Sequence, residues 1–168
     1  LADEMETNLH KLLQQQSEKG GFPWFKGGPD NRYITQYIVT GIGHLKKLGA
    51  IPAQHKTAIN KLAENAIHYL DREIIKDYDA LVKNKADLKK QQIGHTQINY
   101  LYMRSFFNDV YASGAVMRAA NFYPKQSQQF WLQQNRYMQG TIALALFRTG
   151  DSKTALDILR SLKENAII

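Results

Sequence analysis

The chain has 168 residues, 43% of them hydrophobic, with a net charge of +7 and no cysteine. That length and apolar content suit a folded domain with a real core and exclude a disordered chain. The missing cysteines exclude disulfides, zinc–thiolate sites and a cysteine nucleophile, and no apolar run approaches the roughly 20 residues of a membrane span.

The positive charge raises nucleic acid as a partner. The lysines and arginines are dispersed, however, in short pairs such as Lys46-Lys47 and Lys89-Lys90. No basic block carries interleaved aromatics, so a solvated basic surface is expected, with no nucleic-acid partner and no insertion into a membrane. The first residues, LADEMETNLHKLL, carry Asp3, Glu4 and Glu6 and lack the basic start of a signal peptide. The chain opens on Leu1 and not Met, which reads as a piece cut from a longer protein.

Helical periodicity runs through almost every segment, and no stretch reads as a strand. A first helix is expected from Glu4 to Gln16, capped by Asp3, with Leu9, Leu12 and Leu13 as its apolar stripe. The loop GGFPWFKGGPDN, beginning at Gly20, ends it. A second helix starts at Asp30 or Asn31. Its stripe is Ile34, Tyr37, Ile38, Gly41, Ile42 and Leu45, widened by Tyr33 and Val39, so this helix is expected to be buried on most sides. Gly41 and Gly43 weaken it and imply close approach of a neighbour; Gly49 and Pro52 end it.

A long helix is expected from about His55 to Lys83, with Ile59, Leu62, Ala66, Leu70, Ile74, Tyr78 and Leu81 recurring every three or four residues. KNKADLKKQQIG reads as a loop. The next helix is expected over Thr96–Tyr111, with Ile98, Leu101, Tyr102, Ser105, Phe106 and Val110 inward. A short turn over Ala115–Asn121 is followed by Pro124, expected to break the chain. Gln126–Arg136 and Gly140–Arg148 read as helical, and Gly150-Asp151 as a stop and a start. The last helix places Ala155, Ile158, Leu159 and Leu162 on one face. The sum is one all-α domain over residues 1–168, about seven helices in antiparallel pairs. No fixed-length repeat supports a solenoid.

Two glycine pairs before a helix suggest a phosphate cradle. A Walker loop ends in Gly-Lys-Ser/Thr, but GGPDN stands there, and a dinucleotide loop follows a strand, whereas this one follows the helix LHKLLQQQ. The structural reading is that Gly20 and Gly21 leave the helix sharply, Pro23 and Pro29 stiffen the crossing, and Phe22, Trp24 and Phe25 plug the end of a helical barrel. An exposed contact surface is the alternative for that aromatic cluster. The histidines, His10, His44, His55, His68 and His95, form no HExxH pair, so no metal is expected. His68 with Asp71 and Arg72 reads as a helix-surface arrangement. Asp71, Glu73, Asp77 and Asp79 resemble aspartate-rich diphosphate motifs, but Asp71 and Asp77 fall on different faces. Interleaved Arg72 and Lys76 make a salt-bridged solvent face the expectation. Asp109 with Arg104 or Arg118 suggests nothing more definite. No catalytic residue and no cofactor is assigned.

QQQSEKGGFPWFKGGPDNRYITQYIVTGIGHLKKLG resembles the thioester-type helical domain of bacterial alpha-2-macroglobulin-like proteins. There, a helix ending in glutamines leads to a Gly-Gly-aromatic-Pro-Trp-Phe loop, a second Gly-Gly, Asn-Arg-Tyr-Ile-Thr and an apolar helix. Gln15, Gly20, Gly21, Phe22, Pro23, Trp24, Phe25, Gly27, Gly28, Asn31, Arg32, Tyr33, Ile34 and Thr35 fit that pattern. The C-terminal ALALFRTGDSKTALDILRSLKENA is similar to the late helix hairpin of the same domain. The resemblance implies an α/α toroid, of which this chain is part. It implies a large multidomain parent in the periplasm, cell envelope or extracellular space, which acts as an endopeptidase inhibitor by trapping the protease that cuts it. The partners it implies are neighbouring domains of the same chain and the target protease, and Gly20, Gly21, Phe22, Trp24, Phe25, Gly27, Gly28 and Tyr33 form the structural and contact loop. The family's Cys-Gly-Glu-Gln thioester motif is missing here, and so is the loop histidine of complement-type relatives. A terpenoid cyclase or prenyltransferase-like enzyme on the same toroid is a second reading, against which the lack of cysteine and of a DDxxD-like run counts. A helical-repeat interaction domain is a third.

Overall fold

The computed structural model describes residues 2–165, without the side chains of residues 2, 3 and 5. The fold is all-helical. Seven α-helices follow one another, α1 (Ala2–Gln15), α2 (Arg32–Lys47), α3 (Lys56–Lys83), α4 (His95–Arg104), α5 (Gly114–Phe130), α6 (Arg136–Arg148) and α7 (Ser152–Glu164). Short 3₁₀ turns at Ala53–His55 and Trp131–Gln133 lead into α3 and out of α5. The only extended pairing among the described residues is an isolated bridge between Pro23 and Asp30. No helix of the described residues is long and apolar enough to cross a membrane. By its contacts the chain divides into two compact units, one up to Glu73 and one from Ile74 on.

In the first unit, Asn31 caps α2 by accepting the Ile34 amide at 3.0 Å, as its residue type favours. Asp3 lies within α1, not ahead of it, and its side chain lies outside the described residues. The apolar stripe of α2 does not give its buried face. Thr35, Gln36, Val39, Ile42 and Gly43 are buried, while Tyr33, Tyr37 and Leu45 are exposed. The buried face is turned from the apolar stripe because Thr35 serves the preceding loop: its hydroxyl accepts the Phe22 amide at 2.9 Å and donates to the Asn31 carbonyl at 2.8 Å. Gly41 has no neighbour near its Cβ position, so close approach does not explain it.

α3 follows the expected pattern, with Ile59, Leu62, Ala66, Leu70 and Ile74 all buried. Asp71 is buried as well, which corrects the expected solvent face for this carboxylate. His68 stands 3.8 Å from Glu64, one turn before it, on a half-exposed flank.

In the second unit, α6 packs against both α4 and α7. α4 ends at Arg104, seven residues short of the expected Tyr111. Past that end the amides of Phe106 and Phe107 bond only three residues back, to Met103 and Arg104, and the Arg104 guanidinium reaches forward to the carbonyls of Phe107 and Val110, at 2.6 and 3.0 Å, and holds this turn. Tyr100 and Met103, absent from the expected inward set, are among the most buried side chains.

Pro124 does not break the chain. α5 runs through it and joins two segments that read separately in the sequence. A proline inside a helix costs about 3 kcal/mol, through one lost hydrogen bond and a clash with the carbonyl one turn back. Burial on both sides offsets that cost, with Val116 and Ala119 before the proline and Tyr123, Gln126 and Ser127 after it. Gln126 also acts as a clamp. Its amide donates to the Leu88 and Lys90 carbonyls, both at 3.1 Å, and its oxygen accepts the Gln92 amide at 2.7 Å. In α7, Ala155 and Ile158 are buried, but Leu159 faces out.

Candidate functional site

The loop after α1 is pinned from inside. Gln16 donates to the Gly20 carbonyl at 3.0 Å and to Leu62 of α3 at 2.9 Å. Ser17 accepts the Gly20 amide and donates its own amide to Gly21, both at 2.9 Å, and its hydroxyl reaches the Asp30 carboxylate at 2.8 Å. The Asn31 amide closes the loop on the Phe22 carbonyl at 2.8 Å. Arg72 of α3 donates to the Lys19 carbonyl. The Gly20, Phe22, Gly28 and Asn31 amides bond within the protein, so they do not form an outward anion cradle.

The predicted loop residues separate into two groups. Gly20, Gly21 and Phe22 are buried. Trp24 and Phe25 are each 65% exposed, and Tyr33 is 63% exposed. Of the three aromatics expected to point inward, Phe22 is buried, and the expectation is corrected for Trp24 and Phe25, which are exposed. Pro23 and Asp30 bridge across the loop, and that pairing directs the residues between them outward. The Trp24 and Tyr33 rings lie 6.4 Å apart, tilted by 33°. Tyr37, 71% exposed, follows Tyr33 by one helical turn. Gly28 is half-buried, with the edge of the Phe25 ring 3.1 Å from where its Cβ would be, and Gly27 stands open. Beneath, Tyr69 is buried. Burial pushes its phenol above the ordinary range, and the nearby Glu73 and Asp30 charges add to this. Tyr69 thus stays protonated.

A second feature lies wholly in the second unit, a cavity of about 400 Å³ between α4, α5 and α6. Val116, Ala120, Pro124 and Ser127 form its α5 wall, a single helical face by their spacing of four, four and three. Ile98, Leu101, Ile142 and Leu146 make its opposite walls apolar. Ser127 is 1% exposed, and its hydroxyl has no hydrogen-bond partner. The expected break at Pro124 hides this face in the sequence. Val116 to Ser127 carries the helical spacing that reveals it.

Asp151 stands at the same cavity and caps α7, accepting the Thr154 amide at 3.1 Å and the Gln128 amide at 2.7 Å. The Thr154 side chain is the largest influence holding its carboxyl below the ordinary range. Burial opposes it, and the Thr154 amide, Gln128 and the Lys153 charge reinforce it. A carboxyl with a lowered folded-state pKa contributes stability above its unfolded value, and that contribution is lost as pH falls through the folded value. Asp151→Asn keeps a good capping residue but removes the titration. Urea midpoints measured from about pH 6 to about pH 2 should therefore fall less steeply for Asp151→Asn than for the parent chain. Parallel curves would rule this linkage out.

The chain matches no protein-family model, no curated protein and no solved structure.

Proposed function

We propose that the chain is a non-catalytic docking module of an alpha-2-macroglobulin-like, protease-trapping protein. The observation that carries this reading is a set of four exposed aromatics, Trp24, Phe25, Tyr33 and Tyr37, on a loop and helix start held from within. Aromatic residues are over-represented among the side chains that dominate protein interfaces. A pinned backbone lowers the ordering cost of using them. The loop thus presents a preorganised contact surface, and the surface belongs to the same residues on which the family resemblance rests. The partner of this surface is a neighbouring domain of the parent chain.

The finer architecture in this reading is part of an α/α toroid. Supporting it, the α6–α7 hairpin has apolar side chains beyond its buried face: Tyr137, Leu144 and Phe147 on α6, and Leu156 and Leu159 on α7. In a ring of helix pairs each hairpin meets a neighbour on both sides, and such residues are then covered. The parent works in the periplasm, cell envelope or extracellular space, where it meets a protease.

The test uses the parent protein and a broad endoprotease, with hydrolysis of a small chromogenic peptide and of casein followed together. Steric trapping keeps the peptide activity and lowers casein cleavage. Trp24→Ala should restore casein cleavage in part, by weakening the domain contact needed to close the trap. Equal rates on both substrates, with and without the parent protein, would sink the trap reading.

A further inference from the structure

From the cavity in the second unit we infer a binding site for a small, uncharged, mostly apolar alcohol, whose hydroxyl group completes the hydrogen bonding of Ser127. The site lies apart from the aromatic loop and does not depend on the docking reading.

The polar groups are graded through the cavity. Asn108 and Gln128 are exposed and mark its mouth, while Ile98, Tyr100, Ser127 and Ile142 are buried and mark its floor. The floor is therefore largely apolar, and of the buried hydroxyls at the cavity, those of Tyr100, Ser105 and Ser127, the one left without a partner is that of Ser127. That hydroxyl can donate one hydrogen bond and accept others, and the protein supplies none of its partners. A second polar group stands about two turns before it on α5. Pro124 has no N–H, so the Ala120 carbonyl loses the donor it would have one turn on. Ala120 and Pro124 line the cavity on the same α5 face as Ser127. An alcohol oxygen matches Ser127, since it can accept from that hydroxyl or donate to it.

Charge is not called for. The charged side chains at the cavity, Arg104 and Asp151, are already engaged. Arg104 donates to the Phe107 and Val110 carbonyls, and Asp151 accepts from Gln128 and Thr154. A carboxylate or ammonium on the ligand would have to compete for them. Size argues against water as the sole occupant. About 400 Å³ exceeds the roughly 30 Å³ of one water many-fold, and a largely apolar floor offers water few of the several polar partners it needs. The volume lies at the small end of ligand pockets.

The probe pair is benzyl alcohol and ethylbenzene, which differ by a hydroxyl in place of a methyl. Each is titrated into the 168-residue chain and followed by amide chemical shifts. Benzyl alcohol should give saturable shifts at Ala120, Ser127 and Ile142 and bind about tenfold tighter than ethylbenzene, the worth of one hydrogen bond. Ser127→Ala should abolish that preference while leaving the thermal midpoint unchanged or higher, because the lost hydroxyl had no partner. Ala120→Leu, which extends into the cavity, should remove saturable binding of both probes. Three results would overturn the site: no saturable shift at the cavity, equal affinity for the two probes, or a preference that survives in Ser127→Ala. Shifts confined to Trp24 and Tyr33 would overturn it too, since the alcohol would then sit on the aromatic loop.

Discussion

Gly20→Ala is expected to lower stability by about 3 kcal/mol or more, the largest loss from any single added methyl in the loop. Two independent costs meet at this residue. Its φ is +89°, where an L-residue costs about 1–2 kcal/mol. Its Cβ would also stand 2.1 Å from the Asn65 carbonyl oxygen of α3, and that atom is backbone and cannot swing away. Forcing the loop and α3 apart adds about 1–3 kcal/mol. It also strains the bonds from Gln16 to Gly20 and to Leu62. For a chain of this size the thermal midpoint should fall by about 6–12 °C. Gly27→Ala is the control. Gly27 has φ +81° but nothing within 4 Å of its Cβ position, so only the conformational cost remains. Circular-dichroism melts of the two variants separate the terms. Equal losses would mean that the contact between Gly20 and Asn65 contributes nothing.

The sequence carries the helical character plainly, since α3 repeats its buried residues every three or four positions from Ile59 to Ile74, with Tyr78 and Leu81 half-buried beyond. It also carries the caps at Asn31 and Asp151, where residue type alone satisfies an orphan amide. What it does not carry is set by tertiary hydrogen bonds. The face that α2 buries follows Thr35, whose hydroxyl serves the Phe22 amide, and no apolar periodicity announces that. The turn after α4 is held by the Arg104 guanidinium, which bonds two carbonyls beyond it. α5 survives Pro124 because it is buried on both sides of it and because Gln126 is bonded to three backbone groups of residues 88–92. In each of these cases a polar side chain overrides a local rule, and such side chains read in a sequence as ordinary surface residues. The loop is half legible for a related reason. Gly-Gly-Phe-Pro-Trp-Phe declares a turn with aromatics, but which ring points inward depends on the bridge between Pro23 and Asp30.

Phe22 and Trp24 should therefore behave as opposites although they are two residues apart. Phe22 is 1% exposed, and Phe22→Ala should cost about 3–5 kcal/mol, the usual range for emptying a buried aromatic site. The Phe22 amide and carbonyl also join the loop to Thr35 and Asn31, so a cavity there loosens the start of α2 as well. Trp24 is 65% exposed, and Trp24→Ala should change stability by no more than about 0.5 kcal/mol. Urea unfolding of the two variants gives both numbers on one scale, read from the midpoint at unchanged slope. The functional order should be reversed. Trp24→Ala leaves the fold intact and removes the largest side chain of the proposed contact surface, so it should impair docking in the parent protein at full stability. If Trp24→Ala instead destabilises the chain as much as Phe22→Ala, the Trp24 ring belongs to the core, and the loop is a plug and not an interface.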